Sequence, residues 1–225
     1  MPKGDLTKVR AALEDARLRL KNGEEFHVHF SPGNKKMGAI PSVSLLPNIT
    51  CPPVCNKTCA ADCYALKIAN LRPVVMRAYA ENTALLTSIP ERYWAEVKAK
   101  IAKSRYFRFH VSGDMMGMPY LKRIVQIAKD YPGTDILVFT KMFNTVNQFI
   151  KDNGELPSNL HLLFSGWYNL IPDNPYHLPE TNLFNAEHPP KPEWKLCGGN
   201  CYECACTDSG CWTIGKGETI SFHQH

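Results

Sequence analysis

Tyr106-Phe-Arg-Phe-His-Val-Ser112, Ile136-Leu-Val-Phe-Thr140 and Leu160-His-Leu-Leu-Phe-Ser165 read as three short strands. Helical patterns at Pro119–Lys129 and Phe143–Lys151 separate them. Strands alternating with helices of this length imply parallel neighbours joined by right-handed crossovers, hence an α/β fold. Parity then chooses between an open sheet and a barrel. Phe107, Phe109 and Val111 share one face of the first strand, while Arg108, His110 and Ser112 share the other. Near the end of the chain, Ser221, His223 and His225 oppose Ile220 and Phe222. One apolar face toward helices and one polar face toward a lumen predict a partial parallel (β/α) barrel, because a doubly covered sheet would be apolar on both faces. The polar strand ends His110–Asp114, Thr140-Lys141 and Ser165-Gly-Trp167 fall at the carboxyl edge, where ligands bind in such folds.

Upstream, residues 5 to 21 read as an amphipathic helix with Leu6, Val9, Leu13 and Leu20 among its core positions, stopped at Asn22-Gly23. Phe26, Val28 and Phe30 alternate with His27 and His29 as in a strand, and a short strand is expected near Val43–Leu46. Tyr64 to Leu86 is helical with a break at Pro73. Ser88 and Glu91 form a capping-box pattern around Pro90, opening a helix to about Lys103. Tyr168 to Glu193 reads as irregular, and Thr219–His223 as a last strand. With no linker and no repeat, the expectation is one domain over 1–225, with an N-terminal helical segment at 1–24 and cysteine-rich loops at 51–63 and 197–211.

The 225 residues are 44% hydrophobic and 21% charged, which excludes wholesale disorder. No apolar run approaches the roughly 20 residues of a membrane span. The start, MPKGDLTKVRAALEDARLRL, lacks the apolar core of a secretory signal, so the expected location is the cytoplasm. A net charge of +5 is too small by itself to argue for nucleic acid.

Nine cysteines carry the functional reading. An odd number in a chain of cytosolic character favours metal or thiol chemistry over a disulfide framework. The first set is Cys51, Cys55, Cys59 and Cys63, each separated by three residues. A helical core stripe would share that spacing, but Pro52 and Pro53 oppose a helix there. The second set is Cys197, Cys201, Cys204, Cys206 and Cys211, interspersed with Gly198, Gly199 and Gly210. Zinc sites pair a short cysteine motif with a distant second pair, whereas four-iron clusters favour runs of closely spaced cysteines. Both sets are such runs. The reading is two 4Fe-4S clusters, held by Cys51, Cys55, Cys59 and Cys63 and by Cys197, Cys201, Cys204 and Cys211, with Cys206 left over. Zinc, or one larger cluster shared by both sets, is the alternative.

His110 and Asp114 are candidates for an acid/base pair, and Asp114 could equally satisfy turn amides. Lys141 is a further candidate, either solvated or offsetting cluster charge. Trp167 and Trp212 are placed to shield a cluster from water.

In order along the chain, Gly33–Gly38, Ser44–Pro47, Cys63-Tyr-Ala65, Arg108–Asp114, Phe139–Lys141, Ser165–Trp167, Cys197–Cys204, Gly210–Trp212 and Lys216–His225 resemble the "gene product eighty-eight" family of phage and plasmid proteins. The resemblance spans about residues 26 to 225 and implies a phage or mobile-element origin, and so a host-cell cytoplasm. More distantly the chain is similar to radical-SAM-type barrels, which implies S-adenosylmethionine as a cofactor. It departs from them in the first set, whose spacing is three throughout, and four thiolates per cluster would leave no iron corner open to that cofactor.

Three functions are therefore expected in turn. The first is an iron–sulfur protein in electron transfer or redox catalysis, with a redox partner or small-molecule substrate. The second is a radical-SAM-like enzyme. The third is a zinc-stabilised nucleic-acid-binding protein, using Lys57, Lys67, Arg72 and Arg77 on phosphates.

Overall fold

A computed structural model describes residues 5–224. Helix α1 (Leu6–Lys21) begins at Asp5, whose carboxylate accepts the Thr7 N–H at 2.8 Å, and closes at Asn22. Val9, Leu13 and Ala16 bury one stripe of it, while Leu6 and Leu20 pack at the margin. The chain then forms strands β1 (Phe30–Ser31) and β2 (Ser42–Val43). Helices α2 (Tyr64–Leu71), α3 (Pro73–Ser88) and α4 (Pro90–Ile101) follow the first cysteine set. The alternating part comprises β3 (Tyr106–Phe109), α5 (Met118–Asp130), β4 (Asp135–Thr140), α6 (Phe143–Asn153) and β5 (Leu160–Ser165). The end of the chain adds β6 (Glu180–Phe184), β7 (Lys195–Leu196), α7 (Cys201–Cys206) and β8 (Thr219–His223).

All eight strands join one sheet in the order β1-β2-β3-β4-β5-β6-β8-β7, parallel throughout except for the β1–β2 pair. The sheet is open: among the described residues its two edge strands, β1 and β7, do not pair with one another, so the barrel does not close. The fold is α/β on a single sheet. Two strands, β6 and β7, lie where only irregular chain was expected, hidden by prolines and by their brevity.

Register separates two faces. Phe107, Phe109, Ile136, Val138, Leu160, Leu162 and Phe164 face the helices and join the main core. Tyr93, Trp94, Phe109 and Tyr120 meet edge-on or tilted at 4.7–6.4 Å between centroids, geometries that favour ring quadrupoles. The opposite face carries Arg108, but also the fully buried Leu137 and Leu163, and it is not a polar lumen. Met37, Ile40, Ala205 and Trp212 cover it as a second, smaller core. The parity expected of the last strand is reversed. Ile220 pairs with Thr181 and Thr181 with Ser165, which places Ile220 and Phe222 on the covered face, where Phe222 meets Phe139 at 6.0 Å. Ser221 and His223 lie on the other face, and His225 falls outside the described residues.

Local departures have physical causes. Residues 26 to 29 do not form a strand because side chains replace the missing partner: Val28 N–H donates to Glu96 at 2.7 Å, and Asn82 brackets His29 with bonds of 2.7 and 2.9 Å. The Ser88–Glu91 capping box does not form. Ser88 ends α3, Ile89 takes the cap position of α4, and Glu91 binds Arg123. Strand β3 stops at Phe109 because His110 adopts φ +58°, a left-handed conformation unusual outside glycine.

Candidate metal centre

The two prolines do prevent an α-helix through the first cysteine set, which instead winds through short 3₁₀ turns at Pro53–Lys57 and Cys59–Asp62. All nine cysteines are free thiols. Cys55 is buried, and hydrogen bonding with Cys51 and Cys59, together with burial, pushes its thiol far up. Cys59 moves the other way, down to about 6, chiefly through its bond with Cys55 against the cost of burial, helped by the charge of Lys141. Cys63 sits at the N-cap position of α2, where burial raises it, the Leu66 and Ala65 amides oppose that rise, and the charges of Cys59 and Cys51 reach it. The Asn48 N–H donates to the Cys51 sulfur at 3.3 Å. The four thiols of the first set lie within 13 residues, and the charge of Lys141, at the carboxyl end of β4, reaches Cys59.

The second set lies across the covered face of the sheet. Asn200 caps α7 by accepting from Tyr202 and Glu203 N–H at 3.0 and 3.2 Å. The Cys201 and Tyr202 N–H groups donate to the Lys36 and Met37 carbonyls at 2.9 and 3.1 Å, so loop 34–38 pins the helix in place. Cys211 is raised mainly by burial and then by the charges of Cys197, Cys201 and Cys204, with Arg108 opposing. Cys197 is raised by burial against a Gly199 N–H that donates to its sulfur at 3.4 Å. A Cβ on Gly210 would lie 3.1 Å from the Cys204 sulfur and one on Gly198 3.6 Å away, so the two glycines cradle that atom. Cys206 is exposed and turned one helical turn back to the Tyr202 phenol, outside this group. Trp212 seals the far end, between Tyr106 at 5.4 Å and His161 at 5.6 Å.

Each set has one sulfur that accepts a backbone amide, Cys51 from Asn48 and Cys197 from Gly199, and one cysteine near a cation, Cys59 near Lys141 and Cys201 near Arg108. Among the described residues no three His, Cys, Asp or Glu side chains are grouped to hold a metal ion.

Arg108 was not singled out by sequence as a thiol partner. Its guanidinium reaches the Cys201 sulfur at 3.7 Å and lies 4.6 Å over the Phe139 ring, and its Nε is buried without a partner. Its place on β3, facing the cysteine layer, was the available signal. Tyr64 joins the two sets: it follows Cys63, donates its hydroxyl to the Val111 carbonyl, and feels both Cys63 and Cys201. Burial of that hydroxyl end pushes it up to about 12.

His110 and Asp114 do not make an acid/base pair. The left-handed turn sends His110 into the helix layer, where Nε2 meets the Tyr120 hydroxyl at 2.8 Å and burial, then Arg108, depresses it to about 3. Asp114 accepts from Met115 N–H, Thr140 Oγ1 and Lys141 N–H at 2.7–2.8 Å, joining the turn after β3 to the end of β4. Burial outweighs those bonds and raises it to about 6. Lys141 Nζ donates to Ser165 Oγ at 2.6 Å and stands 5.8 Å from the Trp167 ring.

Among the described residues no helix is long and apolar enough to cross a membrane. No curated protein and no solved structure matches the chain. A family profile described as "Gene product 88" matches residues 10–191 and so takes in the first cysteine set and β1 to β6, while the second set lies beyond it. On that match over most of its length, the chain belongs to the gene product 88 family.

Proposed function

We propose that this protein binds two iron–sulfur clusters of the four-iron type and works in electron transfer or redox catalysis. The observation that carries the reading is the gathering of all nine cysteines, each a free thiol, into two short runs at 51–63 and 197–211, with Cys206 exposed beside Tyr202. A bound four-iron cluster supplies a one-electron carrier whose potential follows charge, hydrogen bonding and exposure. The chain's own residues supply the rest. Lys141 and Arg108 offset thiolate charge, the Asn48 and Gly199 amides donate to sulfur, and Trp212 packs on Tyr106 beside the second quartet. The edge bearing Lys141, Ser165 and Trp167 is the place for a substrate. Four thiols per quartet argue against the radical-SAM alternative, which needs an iron corner free of protein.

Protein purified without oxygen is expected to carry about eight iron and eight sulfide per chain, the content of two four-iron clusters. Cys59→Ser and Cys204→Ser each remove about half of both, as loss of one of two clusters requires, and Cys206→Ser removes none. Colourless protein with zinc and no sulfide overturns the proposal. Cleavage of S-adenosylmethionine, with one cluster surviving loss of a quartet member, would move it to the radical-SAM reading.

A further inference from the structure

Immediately after Cys63 the surface turns apolar. Tyr64, Ile68 and Leu71 occupy i, i+4 and i+7 of α2 and so share one face, and they are 51%, 38% and 75% exposed. Val74, in the first turn of α3, continues them at 82%. These are four of the ten exposed large hydrophobic residues among those described, the rest being scattered along the chain. A cluster of this kind marks a contact surface, whereas single exposed apolar residues need no explanation.

Charge along this stretch of chain is mostly positive. From Cys51 to Ala80 the only acidic residue is Asp62, against Lys57, Lys67, Arg72 and Arg77. Lys67 pairs with Asp62, and Arg77 with Glu81 and Glu24. Lys57 and Arg72 have no ion-pair partner among the described residues. Two uncommitted cations in the stretch of chain that carries the stripe suit a protein with an apolar centre and an acidic rim. They do not suit a phosphate backbone, which needs a longer line of free cations, or exposed bases, which stack on aromatic rings where this stripe offers only Tyr64.

We propose that the Tyr64–Val74 stripe, with Lys57 and Arg72, docks an acidic electron-carrier protein. The proposal rests on the iron–sulfur reading. Leu71 lies about 12 Å along the helix from Cys63 at 1.5 Å per residue, so a carrier seated there is close to the first quartet. A cluster held by Cys51, Cys55, Cys59 and Cys63 would accept the one electron that the reduced carrier gives up.

Full-length protein, purified anaerobically, is titrated by calorimetry with an acidic flavodoxin and with an acidic two-iron ferredoxin. Saturable binding to at least one is expected, weakening as salt rises. Leu71→Glu should weaken it about tenfold or more, and Arg72→Glu should weaken it while reducing the salt dependence. Both positions are exposed, so folding and metal content should match the wild type. Four results overturn the docking proposal: no binding to either carrier, binding that Leu71→Glu leaves unchanged, a wild-type dimer that Leu71→Glu dissociates, or binding of single-stranded DNA that competes with the carrier. A full complement of iron and sulfide without carrier binding defeats only this proposal. Absence of sulfide defeats the iron–sulfur reading beneath it.

Discussion

Glu81→Ala is expected to lower the unfolding free energy at pH 7 by about 3 kcal/mol, near the lower end for breaking a buried ion pair. Glu81 is 1% exposed and lies in the interior of α3. Arg19 of α1 and Arg77 each bond its Oε1 at 2.6 Å, and His29 binds its other oxygen. One carboxylate therefore fastens the first helix and the chain before β1 to the helix beneath the first cysteine set. The loss stays near 3 rather than 5 kcal/mol because the freed cations have other partners: Arg19 already reaches Asp15 and Glu24, and Arg77 reaches Glu24. Burial works to raise the Glu81 pKa, but bonds from Arg77, Arg19 and His29 overcome it and hold the carboxyl below its ordinary 4.5. A carboxyl depressed in the folded state contributes stability that is fully present above the ordinary value and is lost as pH falls through the folded one. Urea unfolding should therefore show the gap between wild type and Glu81→Ala shrinking below pH 4.5. Glu81→Gln, which keeps the shape and loses the charge, should fall between them. A gap that stays constant into acid would show that packing, not charge, anchors the helix.

Gly38→Ala is expected to release α7 from the sheet while leaving the main core folded. Gly38 sits at φ +62°, and a Cβ there would lie 2.4 Å from Tyr202 Cβ and 2.8 Å from Asn200 Oδ1. The left-handed backbone costs an L-residue roughly 1–2 kcal/mol, and overpacking adds about 1–3 more. Asn200 is the cap of α7, and the neighbouring carbonyls of Lys36 and Met37 hold its first turn, so the strain falls on the second cysteine set. Hydrogen exchange should accelerate at the amides of Cys201, Tyr202 and Cys204, with α3 and β4 unchanged. If the proposed clusters are present, iron and sulfide should drop by about half, the share of one of two four-iron clusters. Unaltered exchange in α7 would refute the pinning role of loop 34–38.

The alternating centre of the chain was legible because its strands are consecutive in sequence and in space, and β5 and β8 begin and end where their residue pattern placed them. The cysteine sets were legible as spacing. What escaped depends on contacts between distant residues. Nothing near Phe26–His29 says that Glu96 and Asn82 will stand in for a neighbouring strand. Nothing near His110 says that its backbone will turn left-handed and carry the ring from the sheet's covered face to Tyr120. Parity misled at the last strand because Thr219–His223 was judged alone, whereas its register against β6 sends the apolar residues inward. The polar lumen failed for a related reason: residues distant in sequence on both sides, Met37 and Ile40 upstream and Ala205 and Trp212 downstream, supply the apolar cover, and period-2 patterning cannot register them.

Because Ala205 and Trp212, part of the lid over Leu137 and Leu163, come from the last part of the chain, that face is completed only late in synthesis. On a ribosome adding 5–20 residues per second, Cys63 emerges on the order of ten seconds before Cys197. The N-terminal cysteine set is thus complete while the nascent sheet is still bare on one side, and any factor shielding that bare side must depart before the tail swings in. A truncated product ending near residue 190 would keep its first thiol nest and expose a greasy flank, making it a substrate for chaperones rather than a smaller working protein.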